Sequence, residues 1–224
     1  MTPCCRLLSE VQITSLETLK QAIEKLHKTY RVPHIIVTSI RSQEDSSTIS
    51  IIGSTARSDF STRIFQIEVP NIDCYFSGTG DMFAALTLVR LKEAATQAGL
   101  VETRSWVSPD NVEATQLPLA QAAEKVLGSM QAVLERTKEA RDQELKKLGG
   151  PLGVMEKERD SEKRLGLRRA KAAEVRVVRC LRELKDPDAK WKAVSLEGKD
   201  TTSGYQRDEI PKCDSHEIPS PENG

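Results

Sequence analysis

The residues best suited to chemistry are Ser77-Gly78-Thr79-Gly80-Asp81, which join Cys74-Tyr75-Phe76 to the apolar run Met82-Phe83-Ala84-Ala85-Leu86. Gly78 and Gly80 can take positive φ and let a ligand approach the main chain without a Cβ in the way. A helix opening near Asp81 presents unpaired N–H groups and the positive end of its dipole to whatever occupies the turn. A phosphate suits such a place. An aspartate beside it can accept a proton from an attacking hydroxyl while the amides hold the charge developing on a transferred phosphoryl group. On these letters alone a plain capped turn explains the pattern equally well, because aspartate is a common cap and Gly-x-Gly a common turn.

The elements that must position this turn follow from the flanking patterns. Thr14-Ser15-Leu16-Glu17 reads as a capping box opening a helix, with Leu16, Leu19, Ala22, Ile23 and Leu26 on one apolar face, ending near Lys28 before Val32-Pro33. His34-Ile35-Ile36-Val37-Thr38-Ser39 is rich in β-branched residues and predicts a buried parallel strand. Arg41 to Ser47 predicts a loop, and Thr48 to Ser54 and Arg63 to Val69 two edge-type strands, the second half exposed with Phe65, Ile67 and Val69 on its inner side. After Pro70-Asn71 and the glycine turn, Met82 to Ala95 predicts a packed helix. Gln97 to Leu117 predicts a surface loop, and Leu119 to Leu148 a long helix with Ala123, Val126, Leu127, Met130, Val133 and Leu134 facing inward. Gly149-Gly150-Pro151 ends it. The order predicts a layered α/β fold with ligands at the carboxyl ends of its strands. Met1 to Ser9 carries little signal. Trp191 to Leu196 predicts a last strand, and Asp200 to Gly224, dominated by Gly, Ser, Pro and acidic residues, a disordered tail after a domain spanning 1–199.

Composition narrows the function classes. The 224 residues are 38% hydrophobic and 29% charged with zero formal net charge, so there is no general case for a nucleic-acid or membrane partner. No run approaches the roughly 18 apolar residues of a membrane span, and Met1 to Glu10 lacks the apolar core of a signal peptide, which predicts a soluble, cytoplasmic protein. Cys4, Cys5, Cys74, Cys180 and Cys213 form no C-x-x-C pair and are odd in number, and His27, His34 and His216 show no ligand spacing. The segment Glu156 to Lys185 carries Arg164, Arg168, Arg169, Arg176, Arg179 and Arg182, but interspersed acidic residues make it a solvated helix face rather than a nucleic-acid surface.

The succession of Leu7-Leu8-Ser9, a capped helix, Ile36-Val37-Thr38-Ser39 and Tyr75-Phe76-Ser77-Gly78-Thr79-Gly80-Asp81-Met82-Phe83-Ala84-Ala85 resembles the C-terminal half of the pyridoxal kinases, members of the ribokinase-like superfamily. Val126 to Thr137 is similar to that family's Val-Leu-x-Arg-Thr helix. Glu183-Leu184-Lys185-Asp186-Pro187 running into Ala193-Val194-Ser195-Leu196 is similar to its C-terminal ending. The resemblance implies Asp81 as the base that activates the 5′-hydroxyl of pyridoxal, and Gly78, Thr79 and Gly80 as the anion hole. It also implies Thr38 and Ser39 as a strand-end pair touching ATP and its cation, Thr38 as a metal contact, and Ile72 as a nucleotide contact. ATP, Mg²⁺ and, as a further candidate, a monovalent cation are the implied cofactors, and a homodimer the implied assembly.

The front of the chain departs from the family. Complete members carry additional βα units and a Thr-Pro-Asn-x-x-Glu motif, whereas Thr2-Pro3 is followed here by Cys4-Cys5-Arg6. The expectation is a chain shortened at its N-terminus, exposing a strand edge and apolar faces and therefore marginally stable or associating. Two functions stand from this reading: a kinase of pyridoxal or a related vitamer, and a catalytically incompetent remnant that binds nucleotide or pairs with another subunit. A nucleic-acid-binding function is the least supported, because balanced charge predicts no steep salt dependence.

Overall fold

The computed structural model describes residues 3–40, 47–148, 167, 171–172 and 174–197. The expected tail lies outside them, as does most of the charged stretch from Glu156 to Ala173. Two helices lead the chain, α1 (Pro3–Ser9) and α2 (Leu16–Tyr30). Three strands follow, β1 (His34–Ile40), β2 (Thr48–Ala56) and β3 (Thr62–Pro70). Then come α3 (Thr79–Gln97), the long α4 (Pro118–Leu148), a short α5 (Leu181–Lys185) and a two-residue β4 (Val194–Ser195).

The strands form one sheet in the order β1-β2-β3-β4, every pair antiparallel. This corrects two expectations. The apolar run at His34 to Ser39 is not a parallel strand, and the reason is visible in the chain: about seven residues from Arg41 to Ser47 are too few for a parallel crossover, which needs a dozen or more. Nor are β2 and β3 edges; they are the interior strands, and β1 borders the sheet. β2 is buried along most of its length because both its faces are covered.

Burial shows which layer covers which face. Leu16, Leu19, Ala22, Ile23 and Leu26 of α2 pack with Val37, Ile40, Ile52 and Ile64 on one side of the sheet. Ile51, Phe65, Ile67 and Val69 face the other way, against Leu119, Ala120, Ala123 and Leu127 of α4. The result is an α/β/α sandwich whose second layer is α3 packed on α4.

Local caps differ from expectation by small shifts with physical causes. The box that opens α2 is Ser15 with Thr18 rather than Thr14 with Glu17, because the Thr18 hydroxyl accepts from the backbone N–H groups of both Thr14 and Ser15 at 2.9 Å. The helix then runs to Tyr30, where Arg31 takes the left-handed conformation at φ 52°. The expected loop from Gln97 to Leu117 holds two 3-10 turns, Arg104–Trp106 and Ala114–Gln116. It is stapled to β3 by the fully buried Arg63, whose guanidinium donates to the carbonyls of Ser108, Pro109 and Val112.

The described part of the expected charged helix is not one helix. Glu174 to Arg176 is non-helical, a 3-10 turn covers Val177–Cys180, and only then does α5 begin. This segment lies against α3 and α4: Arg90 donates to the carbonyls of Leu184 and Lys185, and Ser129 to that of Glu183. No helix is long and apolar enough to cross a membrane among the described residues.

A candidate nucleotide and anion site

The site begins at the end of β1. The pairing with β2 is regular from His34 to Val37 and then shifts register before Ile40, a bulge that takes in Thr38 and Ser39. Ser39 has φ 60°, a left-handed conformation that a non-glycine residue adopts at a cost of about 1 kcal/mol or more. Bulges re-aim side chains. Here both residues of the bulge line a cavity of about 550 Å³ between the sheet and α4.

The loop from β3 to α3 forms the next wall, and α4 holds it in place. Gln131 donates from Nε2 to the carbonyl of Pro70 at 2.8 Å, Asn71 N–H donates to Ser47 O at 2.7 Å, and Arg141 Nη1 stands 3.1 Å from Cys74 Sγ. Gly78 is the N-cap of α3, with φ 87° and no side-chain cap. The first hydrogen bond of the helix is Met82 N–H to Gly78 O at 3.2 Å, so the N–H groups of Thr79, Gly80 and Asp81 precede the ladder and have no partner within it.

Asp81 stands in the first turn of α3. A capping aspartate bonds the first amides of its helix, whereas the Asp81 residue is exposed and its carboxylate makes no hydrogen bond or ion pair among the described residues. It stands in the positive field of the helix start with its oxygens uncommitted.

Of the expected site residues, Thr38, Ser39, Ile72, Thr79 and Gly80 converge on the one cavity. Gly78 lies behind it as the cap, braced by Val175, whose Cγ2 would be 3.2 Å from a Cβ placed there. Asp81 follows Gly80 directly but is not part of the cavity wall. The cavity also brings in residues that sequence reasoning missed, chiefly Asn71, Phe76, Phe83, Met130 and Gln131. Gln131 had a signal: it is a buried polar residue between Leu127 and Leu134 on an otherwise apolar helix face.

The wall is mostly apolar, with Ile36, Ile49, Ile51, Val69 and Leu127 from sheet and helix, and Thr38, Ser39, Thr79 and Gln131 add hydroxyl and amide groups to it. Such a mixed lining suits a largely apolar ligand that also carries polar groups. Among the described residues no cluster of three His, Cys, Asp or Glu side chains is placed to hold a metal ion. The buried Cys180 and the partly buried Cys74 are thiols outside any disulfide.

One face of α3 is left open. Asp81, Ala84, Ala85 and Leu88 share a stripe at helical spacing and are exposed, with Leu88 63% and its neighbour Val89 54% accessible. The packed helix expected from Met82 to Ala95 forms within α3 and buries Met82, Leu91, Ala94 and Ala95, while the opposite face has no cover among the described residues.

No protein-family model matches the chain. Three curated proteins, whose names assign pyridoxal kinase provisionally, share sequence with it. One from Saccharomyces cerevisiae is 32% identical over 150 residues, covering 66% of this chain and 41% of its own length, and another from the same yeast is 31% identical over 132 residues, covering 58% and 36%. One from Schizosaccharomyces pombe is 28% identical over 139 residues, covering 61% and 39%. The chain is similar in sequence to these provisionally named pyridoxal kinases.

Solved pyridoxal kinases have the same fold. The Leishmania donovani pyridoxal kinase in complex with ADP superposes with a TM-score of 0.56 at 19% identity, covering 86% of this chain and 49% of that one. The same kinase with ADP and pyridoxamine gives 0.54, covering 86% and 48%. The chain therefore shares the layered α/β/α fold of those kinases over the part it covers, and it spans about 40% of the length of the curated relatives it matches.

Proposed function

We propose that this chain carries the nucleotide-binding and phosphoryl-transfer half of an ATP-dependent kinase that phosphorylates the 5′-hydroxyl of pyridoxal, forming pyridoxal 5′-phosphate. The observation that carries the reading is the convergence of the β1 bulge, Thr38-Ser39, with the unpaired amides at the start of α3 on one cavity, beside an aspartate that caps nothing.

In this reading the apolar part of the cavity takes the base and ribose of ATP, and Ile72 and the Thr38-Ser39 hydroxyls contact the nucleotide. The N–H groups of Thr79 and Gly80, with the turn at Gly78, hold the charge on the transferring phosphoryl group. Asp81 takes the proton of the attacking hydroxyl; the new bond forms between that oxygen and the γ-phosphorus as the bond from phosphorus to the β–γ bridging oxygen breaks, and ADP leaves. Mg²⁺ would be held chiefly by the phosphates of the nucleotide, with the Thr38 hydroxyl in the cavity wall as the protein contact. When bound it neutralises phosphate charge.

A second reading is favoured by the open face of α3. The stripe that begins at the uncommitted Asp81 and continues through Ala84, Ala85 and Leu88 is where an acceptor would approach, and no described residue covers it. This chain then binds nucleotide without turning over pyridoxal by itself, and pairs with a subunit that supplies the acceptor side.

Calorimetric titration with ATP, followed by an assay of pyridoxal phosphate formation with Mg²⁺ for the wild type and Asp81→Ala, separates the readings. Nucleotide binding in both proteins with turnover only in the wild type supports the kinase. Binding in both with turnover in neither supports the paired module. Absence of nucleotide binding to the folded wild type overturns both.

A further inference from the structure

Thr137 touches neither the cavity nor the glycine turn, yet the structure ties it to the turn through a short chain of contacts. It is fully buried on α4, and its hydroxyl donates to Val133 O at 2.7 Å, which commits its proton and leaves a lone pair. That lone pair accepts the backbone N–H of Arg176 at 3.1 Å. One residue back, Val175 N–H donates to Ser77 O at 3.2 Å, within a parallel bridge between Ser77 and Glu174. The Val175 side chain then lies under Gly78, with Cγ2 3.2 Å from where a Cβ would stand.

The arrangement matters because the turn has little else to hold it. Gly78 has φ 87°, in a region glycine enters freely and leaves as freely, and α3 has no side-chain cap. An anion hole needs its donors fixed before the charge develops. We infer that Thr137 is a positioning residue for the anion turn: its hydroxyl fixes Glu174-Val175-Arg176, and that segment fixes Ser77-Gly78 and so the direction of the Thr79 and Gly80 amides. The inference rests on reading Ser77 to Gly80 as the anion-binding turn.

The geometry makes a discriminating substitution available. Thr137→Val keeps the shape and removes the acceptor, stranding the Arg176 N–H; Thr137→Ser keeps the hydroxyl. Amide exchange and chemical shifts of the ligand-free protein report the contacts directly and need no activity. In Thr137→Val, exchange at Val175 and Arg176 should accelerate roughly tenfold, the scale of one net hydrogen bond, and the amides of Gly78 to Gly80 should move, while Thr137→Ser restores both. Affinity for ADP should fall in Thr137→Val and recover in Thr137→Ser, whereas a merely structural role would lower the melting temperature and leave affinity alone.

Unchanged exchange at Val175 with unmoved Gly78 to Gly80 resonances would overturn the inference. Should Thr137→Val not fold, Val175→Ala tests the last link at a half-buried position outside the helices: moved Gly78 to Gly80 amides support it and unmoved ones overturn it. Failure of the wild type to bind ADP would sink the nucleotide reading, while the exchange result would still decide, on its own, whether the contacts hold the turn.

Discussion

The side-chain amide of Gln131 on α4 donates to the carbonyl of Pro70 at 2.8 Å, so the end of β3 is tied to the helix that closes the cavity. Gln131→Leu keeps the volume and removes the donor, leaving a part-buried carbonyl unpaired at a cost of about 1–3 kcal/mol. The expected outcome is a lower denaturant midpoint together with weaker ADP binding, because Asn71 and Ile72 follow Pro70 directly. A lower midpoint with unaltered ADP affinity would confine Gln131 to stability.

The two glycines of the turn should respond in opposite ways to the same methyl group. Gly78→Ala puts a Cβ at φ 87° against Val175, and the left-handed conformation alone costs about 1–2 kcal/mol. Gly80 has no protein atom within 4 Å of a Cβ and lies inside α3, so Gly80→Ala should leave stability unchanged or raise it by up to about 1 kcal/mol. Gly80 lines the cavity, however, and with an added methyl there ADP binding should weaken. Chemical denaturation and calorimetry on the pair check this; destabilisation by Gly80→Ala would contradict the assignment of its open space to ligand.

Two histidines make stability fall on mild acidification. Burial lowers the pKa of His27 and of His34 below the ordinary 6.5, against the opposing effect of their bonds to Val32 O and Ser105 O. The unfolded chain therefore binds protons that the folded chain does not, and the free energy of unfolding must rise with pH in that window. Stability should be level above about pH 7 and decline as pH drops through 6.5, until the depressed folded values are passed. Denaturant midpoints between pH 7.5 and 5 measure it. Asp59 and Asp110 act lower down: bonds from Ser61 and Ser58 hold their carboxyls below 3.8, so their contribution is present above that value and lost as pH falls beneath it.

Gly128 sits in the middle of α4, where alanine would ordinarily gain about 1 kcal/mol. A Cβ there would stand 2.4 Å from Asp188 O and 3.0 Å from Asp188 C, backbone atoms that cannot swing aside, and overpacking of this kind costs about 1–3 kcal/mol. The overlap should win. Gly128→Ala is expected to lower the melting temperature and to speed protease cleavage around Asp186 to Lys190, where the segment from Val177 to Leu196 lies on the helix.

How much of this was legible in the chain depends on whether the signal was local. The glycine turn, the apolar faces of α2 and α4 and the strand segments are written in composition and period, and the structure places them within a few residues of expectation. Strand direction was misjudged at β1 because an apolar run reports burial and not orientation, although the short Arg41 to Ser47 connection carried the answer. Gly128 and Thr137 could not be valued from the chain, since what makes them matter is a segment some 40 to 60 residues further along. The convergence of Thr38, Ser39, Ile72, Thr79 and Gly80 was expected from resemblance alone; nothing in their spacing says that a bulge with Ser39 at φ 60° turns toward the start of α3.

The opposition of Gly53 and Phe65 across β2 and β3 has a consequence for how the hairpin finds its alignment. The two are register partners, and a Cβ on residue 53 would fall 2.1 Å from the Phe65 ring, which occupies the space directly over the glycine. A slip of β3 by one residue would bring Ile52 or Ser54 opposite residue 65 and send Phe65, Ile67 and Val69 to the wrong layer. The missing side chain is a notch cut for one ring. It works as an alignment key, admitting a single pairing of the strands and thereby fixing where Pro70, and the loop beyond it, emerges from the sheet.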